Sequence, residues 1–183
     1  MHALFEKPLR FELKKNIMQS AHYHLLFNHL PIIIPAVGLA VLILGFVSRS
    51  EVVKRTACFV FILGALGTLP AFFTGEDAEH AVKGLAGVTR QMIHEHEEVA
   101  ETFAILSYLL GALALITLWA SWKRKSFSSI LSYVLIGGSL VVLFFAQQTG
   151  NSGGEIRHTE IRKNQPADST ITSEQMDGDK DDD

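Results

Sequence analysis

Four runs of apolar residues, each about as long as a bilayer is thick, constrain this chain more than any other feature. A helix rises about 1.5 Å per residue, so crossing a hydrocarbon core takes roughly 20 mostly apolar residues. Such runs lie at about residues 25–47 (LLFNHLPIIIPAVGLAVLILGFV), 56–74 (TACFVFILGALGTLPAFFT), 99–122 and 127–146. The last three carry at most one charge, Glu101. A water-facing helix of this length would show a polar face, and these do not. The expected fold is all-α: an integral membrane four-helix bundle made of two helical hairpins, with both termini on the same side.

Three regions follow. Residues 1–24 form an N-terminal amphipathic or interfacial segment, with Phe11, Leu13, Ile17 and Met18 as its apolar stripe, or else a plain extension of the first span. Residues 25–161 are the four-span domain. Residues 162–183 are acidic and almost free of apolar side chains, so disorder is expected there. The first run is too long for a signal peptide and no small-residue cleavage site follows it, so it reads as a retained helix. Gly64, Gly67, Gly111, Gly137 and Gly138 suit close helix packing in a membrane.

Charge sets the expected orientation. Arg49, Lys54 and Arg55 crowd one short loop, and Lys123, Arg124 and Lys125 the other. Dense basic loops stay cytoplasmic, which puts the termini and loop 75–98 on the periplasmic or external side. Lys7, Arg10, Lys14 and Lys15 argue the other way, and the two tight loops carry more weight. A net charge of −3 gives no footprint for nucleic acid. The single cysteine, Cys58, excludes a disulfide framework and covalent haem attachment, so a haem would be held by ligation alone.

Apart from His2, every histidine flanks the end of a span away from the basic loops: His22, His24 and His29 before or within the first, His80 after the second, His94 and His96 before the third, His158 after the fourth. Spans two and four both end in Thr-Gly (Thr74-Gly75, Thr149-Gly150), followed by acids and a histidine. The pattern reads as a parallel internal repeat of one hairpin. In the stretch QMIHEHEEVAETFAIL, His94 and His96 are two residues apart and face opposite ways on a helix, about 200° apart. One of the two is expected to point inward toward His29.

Two chemistries suit such a cluster. A b-type haem needs one or two axial imidazoles in an apolar slot, with cationic partners for its propionates. His29, His94 and His96 are the candidate axial ligands, His80 and His158 supporting groups, and Arg157 or Arg90 propionate partners. A zinc, iron or manganese site would draw instead on His29, Asp77, His80, His94, His96, Glu98 and His158. The third alternative has no cofactor. In it HEHEE is a solvated acidic turn complementing the helix dipole, His22 and His24 pack at the interface beside Tyr23, and His29 is structural. No nucleophile triad, phosphate loop or HExxH occurs, so an electron-transfer or accessory role is expected rather than enzymatic chemistry.

The segments FNHLPIIIPAVGLAVLILGF, TGEDAEH, HEHEEVAETFAIL and TGNSGGEIRHTEI resemble an uncharacterised family of small four-span bacterial membrane proteins. Its marks are His29-Leu30-Pro31 opening the first span, Thr-Gly after the second, histidine before the third, and Gly-Gly…His after the fourth. The resemblance covers about residues 22–161. It implies a membrane bundle with a histidine cluster at one face. Through members fused to or encoded near cytochrome-type modules, it also implies a redox or haem role with a respiratory or cytochrome-type partner.

Overall fold

The computed structural model describes residues 18–19, 21–83 and 87–158. The acidic tail and most of the N-terminal segment lie outside them. Among the described residues the chain is helical, with no strand. Helix α1 is Leu30–Val47, α2 Glu51–Phe73, α3 Gly75–Val82, α4 Arg90–Trp122 and α5 Ser128–Arg157. Helical turns over residues 21–27 lead into α1. Four helices are long and apolar enough to cross a membrane: Ala21–Val47, Glu51–Phe73, Arg90–Trp122 and Ser128–Ile156.

The inward face of each helix follows one rule, alternate steps of three and four residues. In α1 it runs Pro31, Pro35, Gly38, Leu42 and Gly45, all buried. In α2 it includes Ala57, Phe61, Gly64, Thr68 and Ala71. In α4 it passes through Ile93, Phe103, Ser107, Leu110, Ala114, Thr117 and Ser121. In α5 it is Ser132, Leu135, Ser139, Val142 and Ala146. A seam that repeats every 3.5 residues holds helices in a left-handed coil at shallow crossing angles.

Successive helices lie antiparallel. A Cβ on Gly38 would come 2.8 Å from the Phe61 ring, and one on Gly64 would lie 3.3 Å from Ile34, so α1 and α2 run in opposite senses. Gly111 of α4 sits so tightly on α2 that its Cβ would be 2.5 Å from Ala65 Cβ. Gly138 of α5 faces Leu110 of α4. The α1–α5 seam is the loosest of the four. Buried hydroxyls in the middle of the bundle bond back within their own helices: Thr68 to the Gly64 carbonyl at 3.1 Å, Ser107 to Phe103 at 2.8 Å, Ser132 to Ser128 at 3.0 Å. That satisfies them without tying one helix to another.

The outer surface carries Leu63, Leu109, Leu115, Ile130 and Phe144, each more than half exposed. Water would not tolerate so large an apolar surface, and lipid contact fits it.

The two basic loops repeat one turn. Arg49 N–H donates to Phe46 O at 3.2 Å and Ser50 N–H to Gly45 O at 3.0 Å. Arg124 N–H donates to Ser121 O at 3.2 Å and Lys125 N–H to Ala120 O at 2.9 Å. Both are Schellman ends, in which the residue after the helix cap turns left-handed. Glycine normally takes that position, yet Arg49 holds it with φ 53° and Arg124 with φ 51°. Next to the first of these loops, Arg55 Nε donates to Ser121 Oγ at 2.9 Å and its Nη2 to Ser121 O at 3.0 Å. This fork closes the C-terminal end of α4. The sequence shows Arg55 only as one more basic residue near a loop.

Candidate functional site

Continuing the α1 seam backward in steps of three and four from Pro31 reaches Asn28 and then His24. His24 is the histidine of the first hairpin that turns inward. Its Nδ1 lies 2.9 Å from the Ala71 carbonyl and 3.2 Å from Thr74 Oγ1. A carbonyl only accepts, and the Thr74 hydroxyl already donates to Pro70 O at 2.7 Å. Nδ1 therefore carries the proton and Nε2 the lone pair. The bond also supplies a partner for a carbonyl in the last turn of α2, where the helix itself offers none.

The second hairpin repeats this arrangement. His96 lies on the α4 seam between Ile93 and Ala100. Its Nδ1 lies 2.9 Å from Ser152 Oγ, and the ring also interacts with the Thr149 carbonyl. Ser152 Oγ donates to Thr149 O at 3.2 Å, so Nδ1 is again the donor. In both hairpins an imidazole on the first helix is held by a carbonyl and by the hydroxyl three residues further along the second. Ala71 and Thr74 are one such pair, Thr149 and Ser152 the other. Space for the His96 ring comes from Gly153, whose added Cβ would stand 3.0 Å from His96 Cε1. Both imidazoles stand at the end of the bundle away from the basic loops. Between His24 and Pro31 on the seam, Asn28 keeps a buried Oδ1 with no hydrogen-bond partner. A buried carbonyl left unpaired is costly, on the order of 1–3 kcal/mol.

The other histidines lie elsewhere. His29 is exposed on the outer side of α1, with Nδ1 3.2 Å from the Leu25 carbonyl. It is one residue off the seam, and one residue turns a side chain by about 100°. His29 therefore does not turn inward as expected; the histidines that do are His24 and His96. His94 faces out and meets Glu98 at 3.3 Å, both about 70% exposed. His80 is exposed on α3 and His158 is exposed as the C-cap of α5, its N–H donating to Gly154 O at 2.8 Å. The backbone of Arg157 ends α5. Asp77 lies in the first turn of α3, away from Glu98 in sequence and element. Among the described residues no group of three or more His, Cys, Asp or Glu side chains forms a metal-holding cluster.

Beside α3 the polar side chains make a shallow pocket of about 630 Å³, where Glu79, Lys83, Arg90, His94 and Glu97 meet. The hydrogen-bonded Lys83 ammonium holds the Glu79 carboxyl below the usual carboxylate range. Of the HEHEE acids, Glu97 falls into this polar rim.

No family model matches the chain, and neither a curated protein nor a solved structure does. The four apolar helices fit a membrane protein. What the site does must be read from its own side chains.

Proposed function

We propose that this chain is a membrane-integral electron carrier in which His24 and His96 hold a b-type haem at the histidine end of the bundle. The observation that carries the reading is the twice-built clamp on Nδ1. An imidazole whose Nδ1–H is fixed by a carbonyl presents Nε2 as a ligand in a set orientation, the usual support of a ligating histidine. The donor set fits the group. His24 and His96 would be the residues to hold a haem iron, for which imidazole is a standard ligand, whereas zinc wants four protein ligands or three plus water. When bound, such a group supplies reversible one-electron transfer. The chain's part is to hold two neutral imidazoles and exclude water with the apolar layers beneath them. In this reading the loops bearing Arg49 and Arg124 face the cytoplasm, the histidine end faces outward, and both termini lie on that outer side.

A second reading has its own observation. Both clamps tie the end of one helix to the end of the next, which is work enough for a cofactor-free accessory subunit. One preparation separates the two. The full chain is purified in detergent, and visible spectra are recorded oxidised and after dithionite, with metal analysis on the same sample. A low-spin haem spectrum is expected, lost in His24→Ala and in His96→Ala and kept in His29→Ala and His94→Ala. A folded protein that is colourless and metal-free, or haem retained when His24 and His96 are both alanine, overturns the haem reading.

A further inference from the structure

His29, displaced from the interior, stands at the head of a different feature. Helices α1 and α5 meet along the loosest seam of the bundle, and their outer edges leave a groove of about 630 Å³. That volume lies within the range of small-molecule sites, roughly 300–1,000 Å³. Ile33, Ala36 and Ala40 form one wall, Leu143 and Ala146 the other, and Gln147 the polar group among them. The two alanines on α1 are exposed and keep the wall shallow. His29 precedes Ile33, Ala36 and Ala40 by four, seven and eleven residues, so it shares their face of α1. Its imidazole is exposed, and the bond from Nδ1 to the Leu25 carbonyl leaves Nε2 as an acceptor.

An apolar slot facing lipid, with a carboxamide and an imidazole toward one end only, fits a particular kind of molecule. It needs a long apolar chain and a compact head that both gives and takes hydrogen bonds. A bare acyl chain would leave the Gln147 amide unpaired at the boundary, at a cost. A phospholipid head would bring a phosphate, and no lysine or arginine lines this groove. We propose that the α1–α5 groove binds an isoprenoid quinone or quinol, its chain against Ala36 and Ala40, its ring oxygens toward Gln147 and the His29 Nε2. The proposal depends on the haem reading only for what the quinol would pass electrons to; binding itself stands apart from it.

The test uses a photoreactive azidoquinone with an isoprenoid chain on the full-length protein in detergent, with labelled peptides mapped by mass spectrometry. Labelling is expected within residues 29–40 and 143–150. Unlabelled long-chain quinone should displace it, and an excess of phospholipid should not. Ala36→Phe and Ala40→Phe fill the groove from its lipid side without touching the core, and each should cut labelling roughly tenfold, a loss of about 1.4 kcal/mol. His29→Ala and Gln147→Leu should cut it several-fold while a photoreactive acyl-chain probe labels as before. Undiminished labelling in Ala40→Phe, or displacement by phospholipid as readily as by quinone, overturns the site and makes the groove ordinary lipid contact. A colourless protein that labels in this pattern keeps the quinone site while removing the haem. A red protein that fails to label does the reverse.

Discussion

The two ends of the bundle solve the same problem with different materials. At the basic end the chain turns back twice through Schellman motifs made of backbone hydrogen bonds, and one arginine fork joins α2 to α4. At the histidine end the helices are joined by imidazoles, His24 across α1–α2 and His96 across α4–α5. The first solution is generic, since any sequence that tolerates a left-handed residue can make the turn. The second uses two titratable, metal-competent side chains. Structural economy alone explains the basic end, and it is at the histidine end that the proposed cofactor role is to be tested.

Substitutions can break that contrast, beginning with the largest effect. Arg55→Ala removes two bonds from a cationic donor, so it should destabilise the bundle by about 2 kcal/mol in denaturant titration in detergent. Arg55→Lys should recover little, because an ammonium cannot reproduce the fork. Next comes His96→Ala, which loses the Ser152 and Thr149 bonds and leaves a space over Gly153, expected to cost about 1–2 kcal/mol. Were the histidines merely structural, glutamine at position 96 would restore stability and the protein would show no haem spectrum to lose. Thr74→Val and Ser152→Ala test the hydroxyls alone and should cost about 0.6 kcal/mol each, the usual worth of a side-chain bond between membrane helices. Smallest and opposite in sign, Arg49→Gly and Arg124→Gly should each raise stability by about 0.4–1 kcal/mol, since glycine relieves the left-handed strain. A loss at either position would mean that the arginine side chain does something at that surface beyond closing the turn.

The helices were legible because an apolar run of membrane length needs no context to be recognised. Their ends were less so. The third span begins its helix at Arg90, before the apolar run at Val99, because Thr89 caps it by accepting from Met92 N–H at 3.2 Å. The fourth continues through QQTGNSGGEIR to Arg157 despite its glycines. There Gly153 gives the His96 ring its place. In the site, the repeat of Thr-Gly ends was readable and pointed to the end of the bundle where His24 and His96 turn inward. That His94 and His96 face opposite ways was also readable, though not which of them turns inward. His24 was passed over because it lies outside the apolar window and beside a tyrosine. The signal that finds it is the step of three and four through Pro31 and Pro35, which needs the inward face to be known first. Nothing in the sequence gives the carbonyl partners, since Ala71 and Thr149 contribute backbone atoms whose availability depends on where helices end and meet.

The mid-bundle hydroxyls that bond only within their own helices have a mechanical consequence. His24, Arg55 and His96 link α1 to α2, α2 to α4 and α4 to α5, each close to one end of the bundle. Between those links the helices touch through glycine, alanine and apolar side chains. A helix pinned at its ends cannot slide past its neighbour, but it can coil more or less tightly around it. A membrane of different thickness would therefore be met by tilt and twist of all four helices together. Such a change would turn the two imidazoles relative to one another, while each stayed fixed to its own carbonyl.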